Sequence, residues 1–279
     1  MNRRFAQAYG HLEKWHWWFR GRQSIIASVL RREFRGRAPT AIASLGCGPA
    51  EGLSWLQHLT TPNGRVVGVD SDLLHARRVG PGLQCIVGQI EALPLVAETF
   101  DAVLALDVLE HLDDDTAGLR EAARLVKPGG LLLVTVPALP SLWGGQDIVS
   151  CHRRRYTRST FTETFARAGL PAPRATYFNT LLFPAVAAVR WGRRALGQAN
   201  RLESDFATAK PGLLNHLLAL IFTAEQYMVS RFRLPIGISL LASLRFPPSG
   251  DDGKNDGRRL RLIAAEKDLT SRRFSCLSR

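Results

Sequence analysis

Ile42–Gly52, IASLGCGPAEG, is an apolar run that breaks into Gly46-Cys47-Gly48 and leads toward a helical pattern beginning near Leu53. It reads as a buried strand, a glycine turn and a helix N-terminus. The glycines let the backbone pass close to a ligand where a Cβ would clash, and the free N–H groups of the next helix face whatever is bound. The expectation is a nucleotide-type pocket.

One strand further on, Arg65–Asp70 (RVVGVD) is a second short apolar run, and it ends in a carboxylate 22 residues after Gly48. A carboxylate there accepts hydrogen bonds from both hydroxyls of an adenosine ribose; its plainer use is to start a turn or cap a helix at Ser71. A dinucleotide fingerprint, G-x-G-x-x-G, wants Gly or Ala at position 51, where this chain has Glu51, with Gly52 one place late. A second phosphate would meet that carboxylate unfavourably.

The 279 residues, 46% of them apolar, suit an ordinary globular protein with a full core. Cys47, Cys85, Cys151 and Cys276 lie far apart, with no C-x-x-C pair and no His cluster at zinc spacing, so free cytosolic thiols and no metal are expected. The N-terminus lacks the apolar core of a secretory signal, and no run approaches the roughly 18 apolar residues of a spanning helix. The net charge of +13 is unevenly spread: residues 1–40 carry nine Lys/Arg against two Glu and 151–200 nine Arg against one Glu, whereas 41–130 carry six basic against twelve acidic residues. An acidic core with basic flanks points to nucleic acid, an anionic membrane surface or a phosphorylated substrate. No helix-turn-helix, zinc or RNP-type pattern supports nucleic acid.

Along the chain, residues 3–34 read as a helical preface in which Trp15, Trp17, Trp18 and Phe19 precede Ile25, Ile26, Val29 and Leu30 at helical spacing. These side chains dock the helix on the core, close over the ligand pocket or rest on a lipid surface, with Trp18 among them as a candidate substrate contact. Leu83–Val87 reads as a third strand, Phe100–Leu106 as a fourth and Leu131–Val136 as a fifth. Thr116–Val126 reads as a helix stopped by Lys127-Pro128-Gly129-Gly130. Strands alternating with helices at this spacing predict a doubly wound α/β domain.

In this order, SLGCGPAEG, VVGVDSD, GQIEALPL, FDAVLALDVLEHL and RLVKPGGLLLVTVP resemble class I S-adenosylmethionine-dependent methyltransferases, of the broad type 11 group typified by ubiquinone and menaquinone methyltransferases. The resemblance covers about residues 40–137. It implies a Rossmann-like seven-stranded sheet in order 3-2-1-4-5-7-6 with the seventh strand antiparallel, for which Ile238–Phe246 is suited. It implies S-adenosyl-L-methionine as cofactor. Gly46 and Gly48 would approach its amino-acid portion, Asp70 its ribose, Gln89 and Ile90 its adenine, and Asp107 its methionine end, with Ser44, Cys47 and Ser71 in the same set. Three positions depart from the family: Ser44 stands where an acid is usual, Ala50 where a third glycine is, and Gln89 where Asp is. Cys47, at a helix N-terminus, reads as a nucleophile or, as is common in the family, as a small packing residue.

Beyond the fifth strand, residues 138–160 form a polar stretch read as an acceptor-side insertion. With the aromatic N-terminal stretch it resembles a bacterial subgroup associated with cell-surface polysaccharide and lipid-linked sugar pathways. Arg153, Arg154 and Arg155 suit a phosphate, or else a solvated turn or a pairing with Asp147. His111 and His152 are candidates for a general base, and Tyr156 stands beside them as a third candidate catalytic group. Residues 180–236 read as two apolar helices flanking arginines from Arg190 to Arg201, which would lie at an anionic membrane interface, cover the pocket or form a dimer face.

The organisation expected is an N-terminal helical cap over 1–39, a methyltransferase domain over 40–248 with the two insertions, and a disordered tail over 249–279. The protein would be cytoplasmic or peripheral at the inner face of the membrane and would methylate a small or lipid-linked acceptor. The rivals are a non-catalytic module that binds cofactor or acceptor, an NAD-dependent oxidoreductase, and a nucleic-acid methyltransferase, which the chain's lack of an Asn/Asp-Pro-Pro-Tyr motif disfavours.

Overall fold

Apolar runs bounded by glycine, proline and acidic turns become strands, and seven of them join one sheet in the computed structural model, which describes residues 12–48, 53–73, 83–198 and 210–249. They are β1 (Ala41–Leu45), β2 (Arg65–Asp70), β3 (Gln84–Val87), β4 (Phe100–Leu106), β5 (Val126–Pro137), β6 (Arg174–Phe178) and β7 (Ser239–Arg245). Their order is β3-β2-β1-β4-β5-β7-β6, parallel from β3 to β5, with β7 antiparallel to both neighbours. This is the Rossmann-like order that the motifs imply. The central strand β1 is buried at every position, as a strand covered on both faces must be.

The helices are α1 (Trp17–Glu33), α2 (Ser54–Gln57), α3 (Asp115–Arg124), α4 (Gly145–Val149), α5 (Arg158–Arg167), α6 (Phe183–Ala195), α7 (Leu213–Ala224) and α8 (Gln226–Val229). Short 3-10 turns stand at Leu109–His111 and Pro140–Leu142. Helix starts follow local chemistry. Asp114 Oδ1 accepts from the backbone N–H of Thr116 and Ala117, each at 3.0 Å, and so sets the start of α3. His16 caps α1 by accepting from Trp18 N–H at 3.2 Å.

Two boundaries differ from expectation. The helix over 116–126 begins and ends earlier, at Asp115 and Arg124, and Lys127-Pro128-Gly129-Gly130 does not separate it from β5. Val126 already pairs with Phe100, and the next paired residue, Leu131, faces Ala102. The four residues are therefore a bulge inside the strand. Glycine serves it directly, because Gly129 sits at φ +74 and a Cβ on Gly130 would lie 2.8 Å from the Lys127 carbonyl.

The two helical additions pack together over the carboxyl edge of the sheet. A Cβ on Gly21 would meet the Phe222 ring at 2.1 Å, so α1 receives this fully buried ring only because position 21 has no side chain. Trp17 N–H donates to Asn215 Oδ1 and Asn215 Nδ2 donates to the Trp15 carbonyl, both at 2.9 Å, which ties α1 to α7. Among the described residues no helix is long and apolar enough to cross a membrane. The tail expected over 249–279 lies outside the described residues from 250 onward, as do 1–11 of the expected cap and 199–209 of the second insertion.

Candidate functional site

A parallel sheet leaves a crevice at its carboxyl edge where neighbouring strands send their loops to opposite faces. Here that crevice is a cavity of about 1300 Å³, reached by the ends of β1, β2, β4 and β5 and by α1, α6 and α7. Small-molecule sites commonly measure about 300–1,000 Å³. The volume is enough for a nucleoside-sized cofactor together with an acceptor.

The turn after β1 brings Gly46 and Gly48 to the cavity at φ +61 and +62, the left-handed region that glycine tolerates. A Cβ on Gly48 would meet nothing within 4 Å, so its backbone faces open space. Asp70 ends β2 beside this turn. Its Oδ2 accepts from Gly48 N–H at 2.8 Å and its Oδ1 from Asp72 N–H at 2.9 Å. The carboxylate thus also starts the turn at Ser71, the plainer use allowed for it. Ser44, Ser71, Gln89 and Ile90 line the same wall. Cys47 lies 3.7 Å from Cys85, sulfur to sulfur, and the Cys85 hydrogen bond together with burial pushes its thiol far above the ordinary range. It is a packed thiol and not an activated nucleophile.

At the end of β4, Asp107 stands in the left-handed region at φ +58, which non-glycine residues seldom adopt and which recurs at functional sites. Arg22 from α1 donates to its Oδ2 at 2.7 Å, and the Arg22 guanidinium carbon lies 4.6 Å from the Trp18 ring centroid. Trp18 lines the cavity, and its ring also supports Arg22.

The loop over 138–160 supplies a second charged group. Asp147 is fully buried and accepts from Gly144 N–H at 2.9 Å, His152 Nδ1 at 2.9 Å and Arg155 Nε at 2.8 Å. Burial opposes ionisation of Asp147, but the hydrogen bond from His152 and the Arg155 and Arg190 charges overcome it and hold the carboxyl at about 2. An ionised Asp147 accepts only, so His152 donates to it through Nδ1, and its other ring nitrogen, Nε2, lies 3.9 Å from Glu110 Oε1. The His111 ring packs edge-on against the His152 ring with centroids 4.8 Å apart. Burial, then the neighbouring His152, lowers His111 to about 4, so its ring is neutral near pH 7.

Several expected site residues are placed elsewhere. Tyr156 is buried in the core, donates to Asp115 Oδ2 at 2.9 Å and does not line the cavity, which corrects its assignment as a catalytic group. Arg153 donates to the His111 carbonyl, and Arg154 donates to the Leu112 and Asp113 carbonyls, so both brace the turn after β4 from outside the cavity. The phosphate expected across the three arginines is corrected accordingly, since Arg155 is buried against Asp147. Of the arginines expected at lipid headgroups, Arg190 and Arg194 donate to the Leu142 and Ser141 carbonyls.

The structure adds residues that no motif announced. Arg22 enters from α1. Glu110, wholly buried, faces the cavity from the 3-10 turn after β4. Asn179, at φ +56 just past β6, lines the cavity with neither amide atom hydrogen-bonded among the described residues. The only sequence signal for Asn179 is its residue type, since Asn tolerates the left-handed region better than most.

Residues 43–134 match the family described as "Methyltransferase domain". A "Probable S-adenosylmethionine-dependent methyltransferase" of Mycolicibacterium smegmatis is 29% identical over 55% of this chain and 59% of its own length. The trans-aconitate 2-methyltransferase of Azoarcus sp. is 30% identical over 55% of this chain and 61% of its own. A SAM-dependent methyltransferase structure from Archaeoglobus fulgidus shares the fold with a TM-score of 0.50 at 17% identity, over 84% of this chain and 97% of that one. The chain spans about a quarter to three fifths of the length of curated relatives it matches, from 23% to 61%.

Proposed function

Residues 43–134 form a class I S-adenosylmethionine-dependent methyltransferase domain, and from that premise we propose that the chain transfers a methyl group to an oxygen of a small or lipid-linked acceptor. The observation that carries this reading is the convergence of Gly46–Gly48, Asp70 and Asp107, from the ends of three neighbouring strands, on one cavity.

The family and fold imply S-adenosyl-L-methionine, and the residues present fit it. The open space above the Gly48 Cα admits a ligand to the backbone. Asp70 accepts the backbone N–H of Gly48 and of Asp72 and lines the cavity, and an ionised carboxylate, with about four acceptor sites, suits a ribose hydroxyl. Gln89, Ile90, Ser44, Asp107 and Arg22 line the cavity; on this reading the first two would meet the adenine and the other three the methionine end. When bound, this cofactor supplies a methyl group on a sulfonium, with a neutral thioether as leaving group. The chain's work is then positional: a fixed near-attack geometry removes much of the barrier to displacement. His152, whose ring Asp147 holds in place, and His111 would stand at the acceptor end, beside an incoming hydroxyl.

The acceptor side favours a greasy molecule. Val186 and Val189 from α6 and Leu214 and Leu218 from α7 give the cavity an apolar stretch, beside which Asn179, Asn215, Arg190 and Arg193 also line it. Outside it, Leu220 is 69% and Leu217 51% exposed on α7. Such a face suits the inner surface of a membrane carrying a lipid-linked acceptor of cell-surface polysaccharide or lipid metabolism. Incubating the protein with methyl-labelled S-adenosylmethionine and either lipid extract or water-soluble hydroxy acids tests this. Label entering the organic phase is expected. Label only in water-soluble products overturns the lipid acceptor, and label in neither overturns transfer to such acceptors.

A further inference from the structure

Glu110 is wholly buried on the cavity wall, and neither of its carboxylate oxygens has a hydrogen-bond partner among the described residues. The carboxylates near it are matched. Arg22 pairs with Asp107, and Arg155 and Arg190 pair with Asp147. Glu110 has no guanidinium at ion-pair distance among the described residues; His152 Nε2 lies 3.9 Å from its Oε1, too far for a hydrogen bond. A buried carboxylate without donors is a group that wants a cation.

Two imidazoles complete the arrangement. One oxygen of Glu110 and one ring nitrogen each of His111 and His152 all lie within 4.8 Å of one another. The ring orientations favour coordination. His152 Nδ1 donates to Asp147, which leaves Nε2 as the ring nitrogen on the Glu110 side, and a carboxylate behind a histidine is the outer-shell partner that metal-binding histidines usually have. The His111 ring packs edge-on against the His152 ring, with centroids 4.8 Å apart. Metal–ligand bonds of about 2.0–2.2 Å set neighbouring ligand atoms about 3 Å apart, so modest side-chain rotation closes the three on one ion.

We infer that Glu110, His111 and His152 hold a divalent first-row transition cation at the acceptor end of the cavity, with Asp147 as the carboxylate behind His152. Two histidines and one carboxylate leave coordination positions open, and here those positions face the cavity. Their ligand is an acceptor that offers a hydroxyl, or two neighbouring oxygens, held as an oxyanion while its proton passes to solvent. That role rests on the methyl-transfer reading above; the cation site itself does not. The zinc spacing sought along the sequence misses the site because residues 110–111 and 152 belong to different loops, which the sheet brings together.

The test is titration of the full chain, treated with EDTA and desalted, with Mn2+ followed by the spin-resonance signal of the free ion, and with Zn2+ as competitor. One Mn2+ per chain, displaced by Zn2+, is expected. Glu110→Gln and His152→Ala should each weaken binding at least ~10-fold, and Asp147→Asn about 10–100-fold. Thermal melting in EDTA checks folding, and Glu110→Gln decides should His152→Ala not fold, because it removes an unpartnered buried acid. No Mn2+ or Zn2+ uptake up to millimolar concentration, or equal affinity in wild type and Glu110→Gln, overturns the site. S-adenosylmethionine binding is measured on the same samples. Cofactor binding without cation uptake refutes the site alone, and cation uptake without cofactor binding refutes the methyl-transfer reading alone.

Discussion

Arg22 Nη1 donates to Asp107 Oδ2 at 2.7 Å, joining the first helix to the end of β4 across 85 residues of sequence. The pair fixes a residue whose backbone is itself strained, at φ +58, with its N–H donating to the Thr135 carbonyl at 3.0 Å. Strain of that kind costs on the order of 1–3 kcal/mol and persists only where the surroundings over-determine it. Arg22 is one of the surroundings that do so.

Removing Arg22 leaves Asp107 without its strongest partner, in a site where its side chain is 17% exposed. Arg22→Ala is expected to lower stability by about 3 kcal/mol, and a double-mutant cycle with Asp107→Ala to show coupling of about 1–3 kcal/mol. Urea denaturation of the four proteins measures both. Additive losses would mean that the pair is a contact without energetic consequence.

Asp70→Ala is expected to weaken S-adenosylmethionine binding by at least ~10-fold while the protein stays folded, with Asp70→Asn between it and wild type, since the amide keeps one acceptor oxygen. Calorimetry for affinity and circular dichroism for fold separate the two effects. Unchanged affinity would place the ribose elsewhere in the cavity.

Gly21→Ala places a methyl group against a ring it cannot avoid, because Phe222 is fully buried and stacked on Phe178 with centroids 6.2 Å apart. Overpacking of this sort costs about 1–3 kcal/mol. Combining it with Phe222→Leu should restore part of that loss. A double variant whose losses simply add would show that α1 and α7 do not meet there.

His16 caps α1 through a ring lone pair, and burial lowers its pKa to about 4 from 6.5. As pH falls below about 6.5 the unfolded chain takes up the proton first, so stability is full above that pH and is lost toward pH 4. His16 contributes up to about 3 kcal/mol to this loss. His111, also held at about 4, adds a loss of the same sign. His16→Asn, which keeps a capping oxygen without titrating, should therefore remove about half of the slope between pH 6.5 and 4 in denaturant midpoints. An unchanged slope would show that His16 does not stay neutral in the folded state.

What could be read from the sequence was local. The Gly46–Gly48 turn and Asp70 announce themselves because a strand, its turn and the acid after the next strand lie within a few dozen residues. The sheet order followed from the ordered motifs. The bulge at 127–130 was hidden because proline and glycine signal the end of a helix and a break within a strand alike; only the pairing of Val126 with Phe100 separates the two. Tyr156 and Arg153–Arg155 were read as one polar motif, but an extended chain sends successive side chains to opposite sides, so Arg155 reaches Asp147 while Arg154 reaches Asp115. Arg22, Glu110 and Asn179 were illegible for a different reason. Each is an ordinary residue type whose meaning comes from partners and cavity walls supplied by distant elements.

The most direct measurement is calorimetric titration of the purified chain with S-adenosylmethionine, S-adenosylhomocysteine and NAD in parallel. Micromolar binding of the first two and none of the third is the expected result, because on the proposed reading the Gly46–Gly48 turn, Asp70 and Asp107 hold one nucleoside and its amino-acid tail. Binding of NAD in preference to S-adenosylmethionine, or of none of the three, would contradict the reading of this cavity as a methyl-donor site.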